Sequence, residues 1–285
     1  MKTIILLLFV LFFFISCTNK NKKCIELKSF TLEKVWTTDT ILKTPESAYY
    51  DEDRDVIYVS NLYRESDVEG DVGFISKINT NGDVIELEWV TGLNSPKGMA
   101  VFNNKLYVSE IDKIAIIDID KGEIIEKVLF EGAEFLNDIS VDSNGMVFIS
   151  DSKESVIYTW FEGEKSTWID SGFSRSNGLL CENNRILVAA TDFLSIDYET
   201  KNISIINDSI SGGDGIAEVG CGYYLVSEWP GEVFIIAPDS SIKSVLNTRE
   251  EKINTADIDY IKKDSLLLVP TFYKNSIDAY KLKEE

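Results

Sequence analysis

Six short stretches, each polar at its head and apolar behind it, recur along the chain at nearly regular distances. This recurrence constrains the fold more than any other feature. The stretches are Pro45-Glu46-Ser47-Ala48, Ser95-Pro96-Lys97-Gly98-Met99, Asn137-Asp138-Ile139-Ser140-Val141, Ser176-Asn177-Gly178-Leu179-Leu180, Gly213-Asp214-Gly215-Ile216-Ala217 and Asn254-Thr255-Ala256-Asp257-Ile258. Their heads fall at 46, 97, 137, 177, 214 and about 255, at intervals of 51, 40, 40, 37 and about 41. The third unit shows the pattern most fully. Ile139 and Val141 alternate with polar residues, Ser143-Asn144-Gly145 offers a tight turn, and Met146 to Ile149 returns as an apolar strand. Repeats of about 40 residues built from four short strands are the mark of propeller blades. The expected fold is therefore all-β: a six-bladed β-propeller with very little helix.

An isolated strand at 29 to 38, SFTLEKVWTT, has no local partner, and the sixth unit is one strand short at its C-terminus. The first is expected to complete the last blade and close the ring. The long first interval fits an insertion at Tyr63 to Asp71. Only a head and a return strand stand out in the fourth unit. A β-sandwich, the other all-β option, does not explain a repeat of this length.

The N-terminus reads as a leader. Lys2 precedes a nearly unbroken apolar run from Ile4 to Ile15, too short for a comfortable span. The run ends in Phe14-Ile15-Ser16-Cys17, which resembles the lipobox of bacterial lipoproteins. That resemblance implies a signal peptide at 1–16, lipidation of Cys17, a polar tether at 17–28 and one propeller domain at 29–285. Residues Thr18 to Lys22 carry no acidic run, so the expected location is the bacterial cell envelope, lipid-anchored and facing the periplasm.

The formal net charge is −20, which argues against a nucleic-acid partner and leaves the lipid anchor as the one expected membrane contact. Histidine is absent. Ser-His-Asp and Cys-His catalysis are thereby excluded, and chemistry must rest on carboxylates, amides, hydroxyls, lysines or a hard cation. Three cysteines besides Cys17 allow at most one disulfide, and Cys181 reads as a small buried hydrophobe. Trp229-Pro230 reads as a packing residue at a blade edge, with an exposed partner surface as the alternative.

In a propeller the innermost strands line the central channel, so the six heads should converge at one mouth. Their residues are Glu46, Lys97, Asn137, Asn177, Asp214 and Thr255. Oxygen donors with few charges suit Ca²⁺ and tolerate Mg²⁺ or Mn²⁺, while Zn²⁺, the remaining alternative, prefers nitrogen or sulfur. The heads PESAYY, FLND, SNGLL and GDGIA resemble those of the SMP-30/gluconolactonase/LRE-like propellers, in order and spacing. The resemblance implies one divalent metal held by Glu46, Asn177 and Asp214. It places Asn137 beside the metal, in contact with water or substrate, and Asp138 next to it. Lys97 is the one basic head. Phe135 stands where the family often has an arginine that holds sugar-like substrates, and Glu46-Ser47-Ala48 stands where it often has Glu-Gly-Pro.

Two functions follow as expectations. One is a metal-dependent hydrolase of a lactone or related ester, with Asp214 or Asp138 as general base and a small molecule as substrate. The other is a non-catalytic periplasmic propeller that binds a ligand or a protein.

Overall fold

The computed structural model describes residues 28–63 and 70–285. The leader, Cys17 and most of the insertion after Tyr63 lie outside the described residues. Strand β1 (Phe30–Thr37) is followed by blade 1, made of β2 (Pro45–Asp51), β3 (Val56–Asn61), β4 (Gly73–Ile78) and β5 (Val84–Leu93). Blade 2 holds β6 (Met99–Phe102), β7 (Lys105–Ser109), β8 (Lys113–Asp118) and β9 (Glu123–Leu129). Blade 3 holds β10 (Leu136–Val141), β11 (Val147–Asp151), β12 (Val156–Phe161) and β13 (Glu164–Ile169). Blade 4 holds β14 (Leu179–Cys181), β15 (Arg185–Ala189), β16 (Phe193–Asp197) and β17 (Ile203–Asn207). Blade 5 holds β18 (Gly213–Gly220), β19 (Tyr223–Glu228), β20 (Glu232–Ile236) and β21 (Ile242–Asn247). Blade 6 holds β22 (Asp259–Ile261), β23 (Leu266–Pro270) and β24 (Ile277–Glu284), with β1 as its outer strand.

The chain is a six-bladed β-propeller. Every sheet is an antiparallel meander, and β1 pairs with β24 from Phe30↔Glu284 to Thr37↔Asp278, which closes the ring as expected. Among the described residues, helix is confined to two short 3₁₀ turns, Lys262–Asp264 and Phe272–Lys274. Blade 4 has its full four strands. Its outermost strand, like β21 in blade 5, has no fully buried residue and so carries a weak apolar pattern.

Each pair of neighbouring blades shares its own apolar cluster. Val56, Tyr58, Leu106 and Val108 pack between blades 1 and 2. Leu42, Val59, Leu268 and Ala279 pack between blades 6 and 1, where the ring closes. The core is thus a ring of six interfaces around a polar axis. Cys181 is a free thiol, while Cys221, in the turn between β18 and β19, is disulfide-bonded.

Candidate active site at the channel mouth

A recurring local device positions the heads. The second strand of four blades ends in serine followed by an acidic or amide residue: Ser60-Asn61, Ser109-Glu110, Ser150-Asp151 and Ser227-Glu228. The serine hydroxyl grips the inner strand, accepting from the N–H of Ser47, Asp138 and Gly215 in blades 1, 3 and 5. The residue after it accepts backbone N–H groups from the loop leading to the head. Asn61 holds Lys43, Glu110 holds Asn94, Asp151 holds Glu134 and Phe135, and Glu228 holds Ser211. Two residues before the head, Thr44, Ser95, Arg175 and Gly212 all adopt a left-handed φ, which turns the chain into the channel. This Ser-acid dipeptide is the sequence signal that reading the heads alone misses.

Backbone pairing fixes the head register. Lys97 N donates to Ser109 O, Asn177 N to Ala189 O, and Ala256 N to Pro270 O. The sixth head is therefore Ala256, not Thr255. Thr255 is buried, and its hydroxyl bridges Glu228 O and Glu232 O, tying blade 6 to blade 5. The upper ring is then Glu46, Lys97, Asn137, Asn177, Asp214 and Ala256. One residue deeper lies a second ring: Ser47, Gly98, Asp138, Gly178, Gly215 and Asp257. Its glycines are required by close approach. A Cβ on Gly98 would lie 2.1 Å from Asp138 Oδ1, and one on Gly215 would lie 2.5 Å from Asp257 Oδ1.

The upper ring opens into a cavity of about 400 Å³. Glu46, Lys97, Phe135, Asn137, Asn177 and Asp214 all line it. Glu46 and Asp214 are buried, and Asn177 Nδ2 donates to Asp214 Oδ1 at 2.6 Å. Glu46 Oε2 and Asp214 Oδ2 are buried and receive no hydrogen bond. Burial raises the Glu46 pKa well above the usual range, and the nearby Asp214 raises it further, with Lys97 opposing. Burial lifts Asp214 to about 7 against the Asn177 hydrogen bond and the charge of Arg175. Asn137 is held by its Nδ2 donating to Ser152 Oγ at 3.1 Å. Lys97 is fully buried, its Nζ donating to Ser95 O at 3.1 Å and lying 4.6 Å from the centre of the Phe135 ring.

Asp138 faces the other way. It lines a separate cavity of about 210 Å³ in the lower channel, with Asp257 and Asp259. Its Oδ1 accepts from Ile139 N at 2.7 Å and its Oδ2 from Leu179 N at 2.6 Å. Burial still raises it to about 7. A carboxylate held on both oxygens and turned away from the mouth is placed to position β14, not to act as the base in the upper cavity.

Several lining residues are not among the heads: Arg175, Ser152, Trp229, Phe272 and Tyr273. Arg175 stands two residues before Asn177, as Phe135 stands two before Asn137. The basic residue missing from blade 3 is thus present at the same repeat position in blade 4. Trp229 lines the mouth and does not pack at a blade edge.

Donor chemistry and the two orphaned oxygens fit a divalent cation between Glu46 and Asp214, with Asn177 as the neutral oxygen donor. Among the described residues, no group of three or more His, Cys, Asp or Glu side chains is gathered to hold a metal. Such a site therefore depends on its amide donors.

No family model and no curated protein sequence matches the chain. Solved structures do resemble it. A streptogramin B lyase matches at 14% identity over 90% of this chain and 98% of that one, with a TM-score of 0.66. A catalytically inactive histidine-to-alanine variant of virginiamycin B lyase from Staphylococcus aureus, solved with quinupristin, matches at 13% identity, over 89% and 99%, with a TM-score of 0.61. A gluconolactonase from Xanthomonas campestris matches at 14% identity over 85% and 87%, with a TM-score of 0.63. At these identities the likeness is one of fold.

Proposed function

We propose that this propeller is a metal-dependent hydrolase of a lactone or related ester, working at the upper mouth of the channel. The carrying observation is the pair of buried, undonated oxygens, Glu46 Oε2 and Asp214 Oδ2, in the lining of a cavity large enough for a small molecule. Two buried carboxylate oxygens left without donors are costly unless a cation completes them. Glu46, Asn177 and Asp214 are the residues that would hold it, with calcium the first candidate. When bound, such an ion polarises a carbonyl and stabilises the charge that develops on its oxygen.

The chain's own groups supply the rest. Asp214 accepts the proton of the attacking water. The Asn177 amide fixes its rotamer through the 2.6 Å hydrogen bond. Asn137, held by Ser152, offers an amide to the water or the substrate. Lys97 offsets the negative charge around Glu46. The virginiamycin B lyase is inactive once a histidine becomes alanine. This chain has no histidine, which favours carboxylate-based hydrolysis over a reaction of that kind. The test is lactone hydrolysis with and without chelator, then in Asp214→Ala. Activity unchanged by both treatments sinks the proposal.

The second reading is a non-catalytic binding module. It is favoured by the large aromatic surface left exposed at the mouth, Trp229 at 38% and Tyr273 at 55%. Calcium binding without turnover across a broad lactone panel would select it. In either case we place the protein in the cell envelope, anchored through lipid on Cys17. The disulfide at Cys221 supports an oxidising compartment. Labelling with a radioactive fatty acid tests the anchor, and incorporation retained in Cys17→Ser rejects it.

A further inference from the structure

The mouth cavity has two unlike walls. One is built by Trp229, from the loop between β19 and β20, and by Phe272 and Tyr273, from the 3₁₀ turn between β23 and β24. Their ring centres lie 4.8 to 5.9 Å apart, with planes 79° to 89° to one another. Phe272 is buried against Leu62 and Ala256 and anchors the group. Its φ of +49° is a strained conformation for a bulky residue, held in place by that packing. What the strained turn presents is Tyr273, beside Trp229, with both rings exposed and lining the cavity. A packed core has no need of either ring.

The other wall is basic. Lys97 is buried beneath the Phe135 ring. Arg175 is exposed, lines the cavity, and makes no ion pair with any described residue. Its charge reaches Asp214, whose pKa it pulls down. The cavity therefore joins an angled aromatic wall, its rings set edge to face, to an exposed guanidinium, with the carboxylate pair in the same lining.

We propose that the mouth selects a substrate with two ends: an aryl group that lies against Trp229 and Tyr273, and an anionic group that pairs with Arg175. This deepens the hydrolase reading and rests on it for the reaction, though binding can be tested alone. Aromatic faces and a planar cation recognise these chemistries by stacking and by charge-assisted hydrogen bonds.

The experiment is calorimetric titration of the full chain, with chelator present so that a carboxylate has no cation to bind. The probes are 2-naphthoate, its neutral analogue 2-naphthamide, and glucuronate, a sugar-ring carboxylate without an aryl group. The expected result is 2-naphthoate binding at least about tenfold more tightly than either other probe. Arg175→Gln should erase the preference for 2-naphthoate over 2-naphthamide. Tyr273→Ala and Trp229→Ala should weaken both naphthyl probes by about tenfold and leave glucuronate unchanged. Tyr273 is exposed, so its truncation tests the wall without threatening the fold. The proposal is overturned if 2-naphthoate does not bind, if glucuronate matches it, or if charge preference survives Arg175→Gln. Hydrolysis plays no part in these readouts. Absence of lactone turnover would reject the hydrolase reading and leave the two-ended site to stand or fall by binding.

Discussion

The upper and lower halves of the channel both hold buried carboxylates, Glu46 and Asp214 above and Asp138 below, and use them in opposite ways. In the lower half, Asp138 accepts from Ile139 N and Leu179 N, and Asp259 accepts from Tyr50 N and Tyr260 N, so both oxygens of each are occupied. Asp257 accepts the Ser47 hydroxyl at 2.6 Å. These groups bolt inner strands to one another. In the upper half, Glu46 and Asp214 each keep a buried oxygen with no donor. Charge and burial alone do not separate a structural carboxylate from a functional one. Within the channel the buried oxygens without a donor do, although Glu110 Oε2, away from the mouth cavity, also lacks one and is compensated by Lys127 on its other oxygen.

The largest expected effect comes from removing an upper carboxylate under turnover conditions. Asp214→Ala should lower lactone hydrolysis by about a thousandfold, roughly 4 kcal/mol of transition-state stabilisation. Melting of the same variant should stay within a few degrees of the parent. A matching loss of activity in Asp138→Ala without loss of stability would erase the distinction between the halves.

The next effect is on stability, in the lower half. Asp138→Ala leaves the Ile139 and Leu179 N–H groups buried and unmet, which costs about 1–3 kcal/mol each. Chemical denaturation should show a loss of about 3 kcal/mol, with or without calcium.

A smaller effect links the halves through pH. Asp214 and Asp138 both titrate near 7 in the metal-free fold, raised by burial above the ordinary aspartate value of 3.8. A raised carboxylate contributes stability that is complete below the ordinary value and is lost as pH rises toward the folded one. The metal-free melting temperature should therefore fall between about pH 4 and about pH 7, by on the order of 5 °C, and level off above. Calcium at about a hundred times its Kd should restore about 2.7 kcal/mol, most visibly above pH 7 where Asp214 is free to ionise. Calcium that leaves the melting curve at pH 8 unmoved would mean that the upper oxygens are not completed by that ion.

Much of this was legible in the sequence, and the rest was hidden for physical reasons. Inner strands that nearly touch demand glycine or small residues at a fixed register. Gly98, Gly178 and Gly215 therefore mark the repeat as clearly as the polar heads do. Glu46, Asn177 and Asp214 share one ring because backbone pairing repeats blade by blade. The sixth head slipped by one residue because Thr255 looks polar enough for the role while alanine does not. The aromatic wall was illegible because Trp229 and Tyr273 come from loops outside the repeat pattern and meet only where blades 5 and 6 pack side by side. Arg175 was within reach, since it sits at the repeat position where Phe135 drew attention one blade earlier.

The smallest predicted effect cuts most directly between the halves. Glu46→Gln keeps the size of the side chain and removes a charge that burial and the nearby Asp214 disfavour. With chelator the variant should gain on the parent as pH rises, by about 1 kcal/mol once Glu46 ionises, because the amide never carries the buried charge. With calcium the order should reverse, because the parent gains a ligand charge that the amide lacks. Asp138→Asn in the lower half offers no such reversal. Its amide would turn a donor toward the N–H of Ile139 or Leu179, so it should be less stable under both conditions. A sign change on calcium addition for Glu46→Gln, and none for Asp138→Asn, is the pattern expected if donor count separates the carboxylates that wait for a cation from those that bind the ring together.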